Sequence, residues 1–177
     1  MSTLSRINRL IIIAIAALAL ASFGYGPANN RLQTAKASEQ TVPQDTLITL
    51  ERTGCYGMCP IYKLTISADG TVVFEGIRFV KNAGIAKSAV SQEQIRELLD
   101  AFEKINYFEL RDRYERPEDG CKQWLTDHPS AITSISLRGK SKSVRHYHGC
   151  RGPEVLKELE KLEQAIDKSV NTEQWIR

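Results

Sequence analysis

The stretch Thr53-Gly54-Cys55-Tyr56-Gly57-Met58-Cys59-Pro60-Ile61-Tyr62 restricts the fold of this chain more than any other. Pro60 drives the residue before it out of the helical region, so Cys59 is extended and Cys55 and Cys59 are not helical neighbours. Gly54 and Gly57 permit the tight backbone of a turn. The stretch therefore reads as a compact loop between two strands, with two thiols facing each other across it. In an oxidising compartment the pair closes a ring of about five residues, worth about 2 kcal/mol by chain entropy and most useful for fixing the loop's shape.

The compartment is argued from the N-terminus. Arg6 and Arg9 precede an apolar run from Leu10 to Ala21. That run is short against the ~20 residues a membrane span needs. Ala19-Leu20-Ala21 supplies a small-x-small cleavage pattern, so residues 1–21 read as a secretory signal peptide, or as an anchor if left uncleaved. No cysteine follows the run that would mark a lipoprotein. Either reading exports the domain to the periplasm or the exterior. Membrane contact is then expected only through an uncleaved N-terminal segment.

Export decides how the four cysteines are read. An even number in an exported chain favours two disulfides. Three connectivities are open, and the preferred one joins Cys55 to Cys59 and Cys121 to Cys150, because the second pair flanks an expected strand pair. That ring spans about 30 residues and is worth about 3.5 kcal/mol.

Charge excludes one class of partner. The formal net charge is +3, and Arg6 and Arg9 supply two of the 24 basic residues set against 21 acidic ones. The remainder is close to neutral, without the concentrated basic face of a nucleic-acid binder.

Residues 22–45 are rich in Ala, Asn, Gln, Ser, Thr and Pro and read as a flexible linker. One α+β domain is expected over 46–177. Thr46 to Arg52 alternates with Ile48 and Leu50 on one face, and Tyr62, Leu64 and Ile66 alternate after the cysteine loop. Asp69-Gly70 signals a hairpin into a third strand, Thr71 to Phe79. Ile85 to Val90 suits a short edge strand. Ser91-Gln92-Glu93-Gln94 fits a capping box, followed by Ile95, Leu98, Leu99, Phe102 and Ile105 at helical spacing.

Residues 111–130 read as a long polar loop tied down by Cys121. Ala131 to Arg138 and Ser143 to His148 form a second hairpin about Gly139-Lys140. Pro153 opens a last helix with Val155, Leu159, Leu162 and Ile166 on its apolar face, and Trp175-Ile176 docks behind it. The expected architecture is an antiparallel sheet of about five strands with two helices on one face, in the order β-β-β-(β)-α-β-β-α.

Together these residues resemble a known family. Thr53-Gly54-Cys55-Tyr56-Gly57-Met58-Cys59-Pro60-Ile61-Tyr62, Asp69-Gly70-Thr71-Val72, Phe74-Glu75-Gly76, Thr126-Asp127-x-Pro129, Leu159, Ile166-Asp167 and Trp175 resemble the bacterial domain-of-unknown-function family 6438 over roughly residues 46–176. The resemblance implies an exported α+β domain and no catalytic role to carry over.

Three chemistries remain to be weighed. His146, His148 and Cys150 occupy alternate positions, so an extended chain points them the same way. Imidazole and thiolate suit copper or zinc, and Cys55 and Cys59 complete such a site if the fold brings them near. The cysteine spacing is similar to that of copper-delivering proteins of the Sco type, but there the motif leads into a helix, whereas Ile61 to Ala68 alternates as a strand. The plainer reading is a disulfide at Cys150 beside ordinary strand-end histidines.

Thiol exchange by Cys55 and Cys59 lacks the two-residue spacing and the helix N-terminus of the oxidoreductases. Hydrolysis by Asp112, Asp127 or His128 lacks a nucleophile motif. The preferred function is a non-enzymatic binding module without cofactor, whose Tyr56, Met58, Trp124 and Asp127 form a recognition loop for an envelope protein or a small ligand.

Overall fold

A computed structural model describes residues 41–177. The N-terminal segment 1–21 and most of the spacer lie outside these residues. Val42 is buried, and Asp45 accepts a hydrogen bond from the Gly139 amide at 2.6 Å, so packing reaches residues assigned to the spacer. Among the described residues no helix is long and apolar enough to cross a membrane.

The cysteine loop joins β1 (Leu47–Arg52) to β2 (Ile61–Ser67), and the Asp69-Gly70 turn leads into β3 (Thr71–Arg78). Asp69 fixes that turn by accepting from the Thr71 amide at 2.8 Å. Gly70 has φ +91°, and a Cβ there would lie 2.4 Å from the Val90 carbonyl oxygen, so both its backbone and its neighbour require glycine. β4 (Gly84–Ala89) pairs along the length of β3. α1 (Gln92–Lys104) begins at Ser91 with both bonds of the expected capping box.

The 111–130 segment is less irregular than its composition suggests. It contributes β5 (Arg113–Tyr114), a 3-10 turn at Pro117–Asp119 and β6 (Gln123–Trp124). The buried Asp119 carboxylate holds it by accepting from the amides of Glu115 and Arg116, both at 3.1 Å. β7 (Ser130–Leu137) and β8 (Lys140–Tyr147) form the second hairpin. β9 (Cys150–Arg151), α2 (Val155–Ser169) and α3 (Glu173–Ile176) complete the chain.

Among the described residues the fold is α+β with a mostly antiparallel sheet and three helices, but the main sheet has seven strands rather than about five. Its order is β4-β3-β2-β1-β7-β8-β5, and β6 pairs with β9 separately. The increase comes from β4, which forms fully, and from β5, which adds parallel to β8. A two-residue strand is too short to show a period, so β5 has no signature in the sequence.

Register stacks the inward residues into rows across the sheet. One row runs Val72–Ile66–Ile48–Ile135, the next Phe74–Leu64–Leu50–Thr133–Val144. Each large apolar side chain there contributes about 1.5–3 kcal/mol by leaving water. Ile95, Leu98 and Phe102 of α1 and Leu159, Leu162 and Ile166 of α2 are buried in the same core. Trp175 stacks on Phe74 with ring centroids 4.8 Å apart, which places the tail on the body of the domain as expected.

Candidate functional site

The third row differs in chemistry from the first two. It runs Tyr62–Arg52–Ala131–His146, in register across β2, β1, β7 and β8 and on the same face as the apolar rows. α2 crosses it and presents Glu163 and Asp167, one turn apart and therefore on one side of the helix. Glu163 is fully buried within the stripe that also carries Leu159, Leu162 and Ile166.

The Glu163 carboxylate collects three donors. His146 Nδ1 meets Oε1 at 2.7 Å, His148 Nε2 meets Oε2 at 2.8 Å, and Arg52 Nη1 donates to Oε2 at 2.9 Å. Arg52 Nη2 donates to Asp167 Oδ2 at 2.8 Å, and Tyr62 Oη donates to Asp167 Oδ1 at 2.7 Å. Thr172 Oγ1 adds a bond to Asp167 Oδ1 at 3.0 Å. An ionised carboxylate only accepts, so the contacting nitrogens of both histidines carry protons.

The electrostatics follow from these contacts. Burial acts to raise the Glu163 pKa, but hydrogen bonds from His146 and His148 and the charges of His146 and Arg52 outweigh it and hold the carboxyl down at about 2. Burial acts to lower the Arg52 pKa, and the charges of Asp167 and Glu163 reverse that and raise it. Burial and the neighbouring Asp167 raise the Tyr62 hydroxyl.

Two clefts flank α2. One of about 590 Å³ is lined by His128, His146, His148, Arg151, Lys157 and Glu160, among others. The other, of about 350 Å³, is bordered by Tyr62, Asp167, Lys168 and Glu173. The polar row thus runs beneath the helix from one cleft to the other.

The same end of the sheet carries both disulfides, Cys55–Cys59 and Cys121–Cys150, with Cα separations of 5.7 and 5.2 Å. This is the preferred connectivity. It also corrects the proposed metal set: Cys150, Cys55 and Cys59 are disulfide sulfurs and offer no thiolate, while His146 and His148 do come together, their rings 4.6 Å apart. For the thiol-exchange reading, Cys55 and Cys59 stand in the oxidised, disulfide form.

In the cysteine loop, Tyr56 is 88% and Met58 82% exposed, so neither packs over the disulfide. The Tyr56 amide donates to the Asp127 carbonyl at 3.3 Å, and the Thr53 amide donates to the Ser130 carbonyl at 2.9 Å. Trp124 is half exposed, its ring 6.1 Å from that of Tyr147, and Tyr147 Oη donates to the Leu125 carbonyl. Tyr56 and Met58 therefore sit on the cysteine loop, beside Asp127 in the segment that follows Trp124 at the end of β6. Of the hydrolytic candidates, Asp112 pairs with Lys142 and Asp127 accepts from Thr126.

Arg52, Tyr62, Glu163 and Asp167 were not among the expected site residues. A signal for two of them exists. Arg52 continues the Ile48–Leu50 alternation, and Glu163 falls inside the apolar stripe of α2, both unusual places for a charge. No curated protein matches the chain. Residues 46–169 match the family described as Domain of unknown function (DUF6438), a span that holds the cysteine loop and the whole row from Arg52 to Asp167, and the chain belongs to that family.

Proposed function

We propose that this domain is an exported, non-enzymatic interaction module of the cell envelope whose protein partner docks on the disulfide-shaped end of the sheet. The observation that carries the reading is the exposure of Tyr56 and Met58, 88% and 82%, on a loop that a covalent ring and the amide of Tyr56 both hold in place. Aromatic and Met side chains are favoured at protein contacts. A loop already ordered loses less entropy when it binds, so more of the contact energy appears as affinity. Trp124 and the Asp127 backbone on the adjoining loop extend the surface.

In this reading residues 1–21 direct export, the segment from residue 22 to the buried Val42 acts as a spacer, and an oxidising compartment sustains both disulfides. The test is a photocrosslinking amino acid at Met58 in intact cells, with the same group at Ser141 near the opposite turn as the control. A discrete protein adduct is expected from Met58 and not from Ser141, and Tyr56→Ser should abolish it. Equal labelling from both positions, or none from Met58, would overturn the reading.

A further inference from the structure

We infer that His146, His148 and Glu163 form a binding site for a divalent ion of the zinc or copper(II) class, open on its outer side to the cleft beside α2. The inference goes beyond the docking surface and involves none of its residues.

Geometry is the first support. Two imidazoles from the end of β8 and one carboxylate from α2 converge, with one candidate ligand atom from each lying within 4.8 Å of the others. Ligand atoms around a tetrahedral zinc stand about 3.3 Å apart. The two contacts to Glu163, 2.7 and 2.8 Å, would open slightly and the longest separation would close. His148 can supply that movement, because it lies beyond the end of β8 with its side chain 24% exposed. Each contacting ring nitrogen gives up its proton to solvent as it takes the metal.

The second support is the shell behind the ligands. Arg52 holds Glu163 Oε2, which His148 also meets, and leaves Oε1 facing His146. Asp167 fixes Arg52, and Tyr62 and Thr172 fix Asp167. Carboxylate ligands oriented by such outer hydrogen bonds are the rule in metal sites. With neutral imidazoles, Glu163 and Asp167 against Arg52 leave one net negative charge, which favours a cation.

Donor chemistry selects the ion. Two nitrogens and one oxygen suit zinc and copper(II), whereas magnesium and calcium prefer oxygen donors and copper(I) prefers sulfur. Three protein ligands leave a position free, and His146 and His148 both line the 590 Å³ cleft from which water or a further ligand would reach it.

The experiment uses the chelator-stripped protein with both disulfides intact. Zinc added in a calorimetric titration should bind one to one and raise the melting temperature, and magnesium should do neither. His148→Ala should weaken zinc at least ~10-fold, while His128→Ala, in the same cleft but outside the cluster, should leave it unchanged. In the unsubstituted protein, zinc should shift the ring NMR signals of His146 and His148 and leave His128 in place, a readout that does not depend on any variant folding. Absence of stoichiometric binding, an unchanged affinity in His148→Ala, or shifts confined to His128 would each overturn the inference.

Discussion

The two ends of the sheet are built from the same strands and differ in almost every other respect. At one end tight turns at Asp69-Gly70 and Arg138-Gly139 close the hairpins over a row of Val72, Ile66, Ile48 and Ile135. At the other end the row is Tyr62, Arg52, Ala131 and His146, the connections are long, and two disulfides hold them. The row at the first end is stabilised by apolar burial, with Asp69 and Asp45 bonding the turns. The second gives up part of that stabilisation to bury charges that must satisfy one another. Such an exchange is expected where a fold carries chemistry, because polar groups in a core are costly unless every partner is present.

The sharpest way to break the contrast is to remove the acceptor shared by the polar row. Glu163→Leu leaves Arg52, His146 and His148 without their common carboxylate, and should cost about 3–5 kcal/mol in denaturant unfolding. Ile48→Val at the closed end should cost about 1 kcal/mol. The pH dependence gives a second reading of the same variant. Glu163 titrates at about 2 in the fold against an ordinary 4.5, so its stabilisation is complete above 4.5 and lost as pH falls toward 2. The gap between the parent protein and Glu163→Leu should therefore hold from neutrality to about pH 5 and narrow from there down to about pH 3. A gap that stays constant would mean that packing, and not charge, holds α2 on this row.

The closed end was legible in the sequence, and much of the open end was not. Asp69-Gly70, the capping box at Ser91 and the alternation of Ile48 with Leu50 are local signals, each complete within a few residues. Arg52 and Glu163 also broke local patterns, yet their meeting depends on the pairing of β1 with β7 and on α2 crossing both. No window of a few residues contains that information. Alternation along an extended chain points His146, His148 and Cys150 one way, and the two histidines meet at Glu163. Their third companion was placed at Cys150, the next alternate position, while the carboxylate that joins them comes from a helix. β5 and β6 escaped notice because two residues cannot display a period.

The next largest effect concerns the longer staple. Cys121 and Cys150 are both buried, and their bond ties β6 and β9 to the domain. Replacing both by serine reopens a ring of about 30 residues, and about 3.5 kcal/mol should be lost. The damage should spread along the 111–130 segment, where limited proteolysis would find new cleavage sites. Asp119 keeps part of that segment in place through its bonds to Glu115 and Arg116, so cuts should cluster on the Cys121 side of it.

Cys55 and Cys59 give the smaller effect of the two staples and the sharpest form of the contrast. Their ring of about five residues is worth about 2 kcal/mol at most, and neither sulfur belongs to the buried core. Cys55→Ser with Cys59→Ser should therefore leave a cooperatively melting domain with an unchanged sheet. The loop should loosen locally, seen as faster amide exchange at Tyr56 and Gly57, whose amides now bond to Asp127 and Cys55. If the staple serves recognition, the Met58 crosslink should fall far more than stability does, because what the variant loses is the ordering of an exposed surface. Loss of cooperative melting would instead make this loop part of the fold's foundation, and the two ends of the sheet would then differ less than their side chains suggest.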